Sequence, residues 1–307
     1  MTFSIIARDP LTGAFGMACE THFFAVGRLV GWLEPGVGAV ATQAFVNVGF
    51  GPRGLELLRS GMSPRSVVSS LIDSDESPEV RQLAVVGPDG DVANYTGANC
   101  VASAGALSGE QVSVQGNMLA SHDVYASMLR AYEDAADLPF ASRLLAALRA
   151  GEDAGGDARG SQSAVLKIVS GKRGGNVWEE TLLDLRVDDH PDPVTEITRL
   201  AELSGAFDRL GDVMFAPRLM IGEYSAVTPE ELGGALAALD SAREVLGDNL
   251  EASFWKAVLL ARAGRHSESA ELFAEVFAQQ PHWRPYLDSV AAAGFVSPVV
   301  VAGLVVR

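Results

Sequence analysis

The chain has 307 residues, of which 48% are apolar, with 39 acids against 23 bases and a net charge of -16. That length and apolar content allow a large core in one domain, or in one domain plus a smaller one, and exclude a disordered chain. The acidity argues against nucleic acid and anionic membrane as partners.

The first stretch, TFSIIARD, alternates Phe3, Ile5 and Ala7 with Thr2, Ser4 and Ile6, which predicts a strand beginning at residue 2. Most domains leave their first residues loose. A turn, PLTG, joins it to a second predicted strand, AFGMACETHFF, as a hairpin; Glu20 and His22 fall on that strand. GVGAVATQAFV reads as a third, nearly continuous apolar strand. GPRGLELLRSG is a short helix ending at Gly61, and SPRSVVSSLIDSD is another, with Ser63 as N-cap and Pro64 at N1. RQLAVVGPDGDVANYTG is a hairpin around Pro88-Asp89-Gly90. QVSVQGNML is a further strand. HDVYASMLRAYEDA and PFASRLLAALRAG carry the i, i+3, i+4, i+7 apolar spacing of amphipathic helices. SAVLKIVSG and ETLLDLRVDD close the set as strands. Strands, then helices, then strands again predict an α+β domain with helices layered on sheets, not a parallel βαβ sheet.

From His190 the texture changes. PDPVTEITRLAEL starts a helix with Asp192 as N-cap, a looser stretch runs to Pro229, and the rest reads as helical. The expected division is residues 1–204 and 205–307. In FWKAVLLARAGRHSESAELFAEVFAQQP, residues Ala257, Gly264, Ser269, Phe273, Val276 and Pro281 fit the positions of one tetratricopeptide repeat. One repeat cannot bury its own face, so it should pack on its flanking helices, on the first domain or on a second subunit, and the open face of a short repeat makes a homodimer the expected state. The tail FVSPVVVAGLVVR is apolar but short, and no run reaches the ~18 apolar residues of a spanning helix. With no charged and apolar leader at the start, a cytoplasmic location is expected.

Cys19 and Cys100 lie in strand-like runs without a CxxC or Cys/His cluster, so they read as buried free thiols. Asp188, Asp189, His190 and Asp192 in VDDHPDP offer oxygen and imidazole ligands for a cation, but they read better as a turn and a helix cap. Trp32 either lines a pocket or packs, and packing is the preferred reading.

Thr2 carries a hydroxyl. If Met1 is trimmed, it also carries a free α-amine whose ordinary pKa of ~7.7–8.0 suits it as a base. That combination is the Thr/N-terminal-amine form of nucleophilic catalysis. If Met1 stays, the mechanism fails. GGDARGSQSAVLKIV crowds Asp157, Arg159, Ser161, Gln162 and Ser163 into a glycine-rich loop before a strand. VQGNML puts Gln115, Gly116 and Asn117 at a strand end, where backbone N–H groups and an amide could face an oxyanion. Structural readings stand beside these: Asp157 and Arg159 as an ion pair holding the loop, Gln115 and Asn117 satisfying buried backbone, Glu20 and His22 as a surface pair.

TFSIIARD, FFAVG, GVGAVATQA, GPRGLELL, VQGNML, GGDARGSQSA and LRVDDHPDP, in this order over about residues 2 to 200, resemble domain of unknown function 1028. That family resembles the N-terminal nucleophile hydrolases, which implies a four-layer αββα sandwich with the nucleophile at the start of the first strand. The resemblance implies Thr2 as nucleophile and its α-amine as base. Gln115-Gly116-Asn117 would then hold the oxyanion, and Asp157 with Ser161 or Ser163 would assist. The lysine of the proteasome-like members has no clear match, leaving His22, Arg53 or Arg159 to supply positive charge. The expected activity is hydrolysis of an amide or peptide-like bond in a small molecule, with no metal or organic cofactor. The alternative is a non-catalytic ligand-binding or scaffold protein that uses the helical repeat for contacts. A third reading makes Glu20 and His22 an acid/base pair independent of the terminus.

Overall fold

In the computed structural model, residues 2–174, 176 and 179–305 are described, and the chain divides into two compact units, Met1–Leu200 and Ala201–Arg307.

The first unit holds two antiparallel sheets. Its strands are β1 (Thr2–Arg8), β2 (Phe15–Thr21), β3 (Gly31–Glu34), β4 (Gly38–Ala44), β5 (Arg81–Val86), β6 (Val92–Thr96), β7 (Gly105–Gly109), β8 (Val112–Asn117), β9 (Ser163–Val169) and β10 (Thr181–Val187). Six form one sheet in the order β10-β9-β2-β1-β8-β7; four form the other in the order β3-β4-β5-β6. Strand β1 is therefore central, flanked by β2 with Phe3 opposite Glu20 and by β8 with Thr2 opposite Asn117.

Side-chain alternation assigns the two faces of this central strand. Ile6, with Phe15, Met17 and Cys19 of β2, packs against Ala39, Ala41, Ala84 and Val86 of the four-stranded sheet. Thr2 and Ser4 share the parity of Ile6 and so face the same way. Phe3 and Ile5 face the helices α3 (Asp123–Asp134) and α4 (Phe140–Asp153), which lie on the six-stranded sheet. Gly16 makes this approach close, since a Cβ there would sit 2.6 Å from Leu144. Helices α1 (Phe50–Arg59) and α2 (Pro64–Asp73) cover the outer face of the four-stranded sheet through Leu55, Leu58, Val67 and Leu71. Ser63 caps α2 by accepting from the Ser66 N–H, with Pro64 behind it. Trp32 packs against α1, where a Cβ on Gly51 would fall 2.1 Å from its ring.

Helix α5 (Pro193–Met214) is capped by Asp192, which accepts from the Thr195 N–H at 3.1 Å. It runs well past Leu203, where the sequence reading loosened. Ala206, Leu210 and Val213 keep an apolar stripe going through Gly205 and Gly211. In the second unit, α6 (Pro229–Leu246) opens with a capping box of Thr228 and Glu231. It is followed by α7 (Glu251–Arg262), α8 (His266–Gln279), α9 (Trp283–Ala292) and α10 (Pro298–Val305). Gly264, at φ +76, makes the tight turn between α7 and α8, and Ser269 donates to the Ala257 carbonyl at 2.8 Å across the hairpin.

Two local readings need correction. Strands β3 and β7 were not legible, because GWLE is four residues long and GALSG has no β-branched or aromatic residue. The apolar tail, too short to span, forms a helix, α10. Cys100 lies in a turn after β6, half-buried, with its thiol toward the Arg81 carbonyl; Cys19 is fully buried in β2. Among the described residues no helix is long and apolar enough to cross a membrane.

Gly51→Val forces a branched side chain into the Trp32 ring. It should destabilise the first unit by about 1–3 kcal/mol, the usual cost of overpacking. Chemical denaturation followed by circular dichroism measures this, and an unchanged midpoint would contradict the packing.

Candidate active site

The start of β1 lies at the end of a polar seam between the two sheets. Ser4 donates to Gln43 Oε1 at 2.6 Å. Gln43 Nε2 donates to the Thr2 carbonyl at 3.1 Å and to Gln82 Oε1 at 2.8 Å. Asn117 Nδ2 donates to the same Gln82 oxygen at 2.9 Å, and Gln82 Nε2 reaches the Gly116 carbonyl at 2.8 Å. Ser4, Gln43, Gln82, Gln115 and Asn117 are all essentially inaccessible to solvent. Each donor finds an acceptor within the seam, as groups buried between apolar layers must.

Thr2, 7% exposed, stands where this seam meets a cavity of about 90 Å³. Its hydroxyl donates to Thr21 Oγ1 at 3.2 Å, and Thr21 also accepts from the Phe23 N–H. Gln43 lines the same cavity, together with Phe23, Val26, Leu29, Val30, Ala44 and Val46. Met1 lies outside the described residues.

The segment after β2 forms one wall, and it is pinned from several sides. Asp157 Oδ2 accepts from the His22 N–H at 2.9 Å. Ser163 Oγ donates to the Phe23 carbonyl at 2.6 Å and accepts from the Val26 N–H at 3.1 Å. Ala25, left-handed at φ 55, donates to the Asp188 carbonyl. Asp157 also accepts from the Arg159 N–H at 2.9 Å and pairs with the Arg159 guanidinium at 3.2 Å. Asp157 is fully buried and Arg159 half-exposed. Asp157 and Ser163 thus act on the backbone of the loop that walls the cavity, and Arg159 pairs with Asp157.

The other expected site residues separate. His22 falls past the end of β2 with an exposed side chain, whereas Glu20 on β2 is fully buried, so the two do not share an environment. Gln115 and Asn117 direct their amide N–H groups to Ser4 and Gln82; the atoms they leave without a partner, Gln115 Oε1 and Asn117 Oδ1, are acceptors. An oxyanion needs donors, so these two amides do not fit the role expected of them. Ser161 donates to Glu152 at 2.5 Å. Asp189 accepts from Gln162, His190 from the Asp192 N–H, and Asp192 caps α5. Among the described residues no group of three His, Cys, Asp or Glu is arranged to hold a metal ion.

Thr21, Gln43 and Gln82 were not singled out from the sequence. The signal was present in Gln43 and Gln82, which interrupt apolar strands at inward positions.

Glu20 faces the helix side of the sheet, with both carboxylate oxygens buried and unpartnered. Burial, and then the Glu152 and Asp157 carboxylates, push its pKa up to about 9. The Ser161 hydroxyl and Gln162 N–H pull the other way but are engaged by Glu152 and by the Thr21 carbonyl. Cys19 beside it is also raised, by burial first and by Glu20 second.

With the geometry in place, comparison with known proteins is informative. The chain belongs to the family of unknown function DUF1028, whose model matches residues 2–197. A crystal structure of a Silicibacter pomeroyi protein assigned to the same family is similar. It is 34% identical, with a TM-score of 0.59, and the match covers 66% of this chain and 84% of that one. No curated protein matches the chain.

Two predictions follow from the buried acids. Between an ordinary pKa near 4.5 and the raised value near 9, folded Glu20 holds a proton that the unfolded chain has released. Stability therefore falls as pH rises through this window. Glu20→Gln removes that slope. Its melting temperature should exceed the parent's by several degrees at pH 9, and the difference should shrink toward pH 5; a loss that is constant with pH would contradict a protonated Glu20. Asp157→Ala strands the His22 and Arg159 N–H groups and should cost about 1–3 kcal/mol. Faster amide hydrogen exchange at residues 22–26 would confirm its hold on the loop, and unchanged exchange there would refute it.

Proposed function

We propose that the protein is an N-terminal nucleophile amidohydrolase acting on a small amide or peptide-like substrate. The observation that carries this is the position of Thr2. It is the first residue of the central strand of a six-stranded sheet, held by Thr21 and Gln43, with its side chain at a cavity. A residue at the end of a central strand is held more tightly than one in a loose leader. Helix pair, sheet, sheet and helix pair is the order we read as the four-layer αββα sandwich of that superfamily.

In this reading the trimmed chain exposes the Thr2 α-amine. The amine takes the proton from Thr2 Oγ1 as that oxygen attacks the substrate carbonyl, and passes it to the departing nitrogen. Water then attacks the resulting ester as the amine takes its proton; the amine passes that proton to Thr2 Oγ1 as the ester bond breaks, which releases the acid and restores the Thr2 hydroxyl and the free amine. Asp157, Arg159 and Ser163 serve by holding the wall of the cavity. No metal or organic cofactor enters these steps.

The helical unit we read as one tetratricopeptide-like hairpin, α7 and α8, with flanking helices. The Gly264 turn and the Ser269–Ala257 contact support the reading. We assign it to protein contacts, with a second copy of the chain as first partner.

Thr2→Ala should reduce turnover of any small amide the parent cleaves by at least 10³-fold, since it removes the attacking atom while leaving the α-amine. Its melting temperature should stay within a few degrees of the parent's. Undiminished turnover in the folded variant would sink the proposal.

A further inference from the structure

We infer that the cavity beside Thr2 is the subsite for a branched aliphatic or phenyl group on the substrate, and that the enzyme takes uncharged, apolar amides. This deepens the amidohydrolase reading and rests on it for the word substrate; the binding claim stands on the cavity itself.

The cavity is built of two chemically different parts. Its polar edge is Thr2 and Gln43, where a reacting carbonyl would sit. The rest of its lining is Phe23, Val26, Leu29, Val30, Ala44 and Val46, all apolar. No ionisable side chain is among the described residues that line it. A volume near 90 Å³ has room for about six non-hydrogen atoms, on the scale of ~10–15 Å³ for a single water. That matches a leucine- or benzyl-sized group, not a long chain or a polar head. A carboxylate or ammonium placed in this apolar part would lose its water and find no charged partner among the side chains that line it, the Thr2 α-amine lying at the polar edge.

The chain beside the lining has the same character. Phe23, Phe24 and Phe45 are each more than half exposed, and Val48 is also exposed. They belong to, or closely follow, the two segments that supply the lining residues Phe23 and Val26, and Ala44 and Val46. Phenylalanines held out in water on a chain with a net charge of -16 are costly unless they meet something apolar. The first segment is not loosely placed: Asp157, Thr21 and Ser163 all bind its backbone. A fixed apolar rim leading to an apolar cavity with one hydroxyl at its edge selects the group attached to the carbonyl.

The test measures binding separately from turnover. Chain that lacks Met1 is titrated by saturation-transfer NMR with 4-methylpentanamide, acetamide and succinamic acid. The inference expects 4-methylpentanamide to bind at least tenfold more tightly than acetamide and succinamic acid to show no binding. Val46→Trp, which fills the cavity from a half-buried loop position, should abolish the preference. Phe23→Ala should weaken it severalfold, and Thr2→Ala should retain it. Equal binding of the three amides, or an undiminished preference in folded Val46→Trp, overturns the subsite. Preferential binding without turnover, in both the parent and Thr2→Ala, would remove the amidase reading and leave the subsite standing. If Phe23→Ala changes the sedimentation coefficient and leaves 4-methylpentanamide affinity untouched, the rim is a contact between copies of the chain and the inference fails.

Discussion

The structure depends on one constraint: amide and hydroxyl donors buried between two sheets must find acceptors there. Ser4, Gln43, Gln82 and Asn117 meet this demand with a connected set of hydrogen bonds that bridges both sheets. Because Gln43 also holds the Thr2 carbonyl, the seam fixes the start of β1 relative to the opposite sheet. An all-apolar interface would give comparable burial but no single register. Amides with distinct oxygen and nitrogen ends hold the sheets in one alignment.

A second consequence concerns the loop after β2. Its backbone carries few contacts of its own and would be mobile if left alone. Asp157 and Ser163 come from a distant part of the sequence and bind that backbone from the far side. Asp157 and Ser163 therefore act on the wall of the cavity through its backbone. The buried acids Glu20 and Asp157 and the partly buried Glu152 lie near one another at the same end of the sheet. Of these, Asp157 has a cationic partner in Arg159, whereas burial first, and then the Glu152 and Asp157 carboxylates, push the Glu20 pKa up.

Much of this was legible in the sequence, and what was not has identifiable causes. The strand at Thr2, the hairpin at Pro88-Asp89-Gly90, the Ser63 cap and the Asp192 cap were readable because each is set by neighbours within a few residues. The loop cluster of Asp157, Arg159 and Ser163 was also visible, but its target was not, since His22 and Phe23 are some 135 residues away. The fates of Gln115 and Asn117 show the same limit. A strand-end amide reads alike whether it faces a ligand or another amide, and only the pairing of β8 with β1 and the approach of Gln82 decide between them. Strands β3 and β7 escaped because their pairing, not their residues, makes them strands. The apolar cavity drew on Val26, Val30 and Val46 from two separate loops, which no local pattern joins.

The account stands or falls on the chemistry of the first described residue. The most direct measurement is the intact mass of the protein purified from a bacterial host, with the N-terminal peptide sequenced by fragmentation. The account predicts a chain lighter by one methionine residue, beginning with an unmodified Thr2 amine. A chain that keeps Met1, or a Thr2 amine that is blocked, would contradict it.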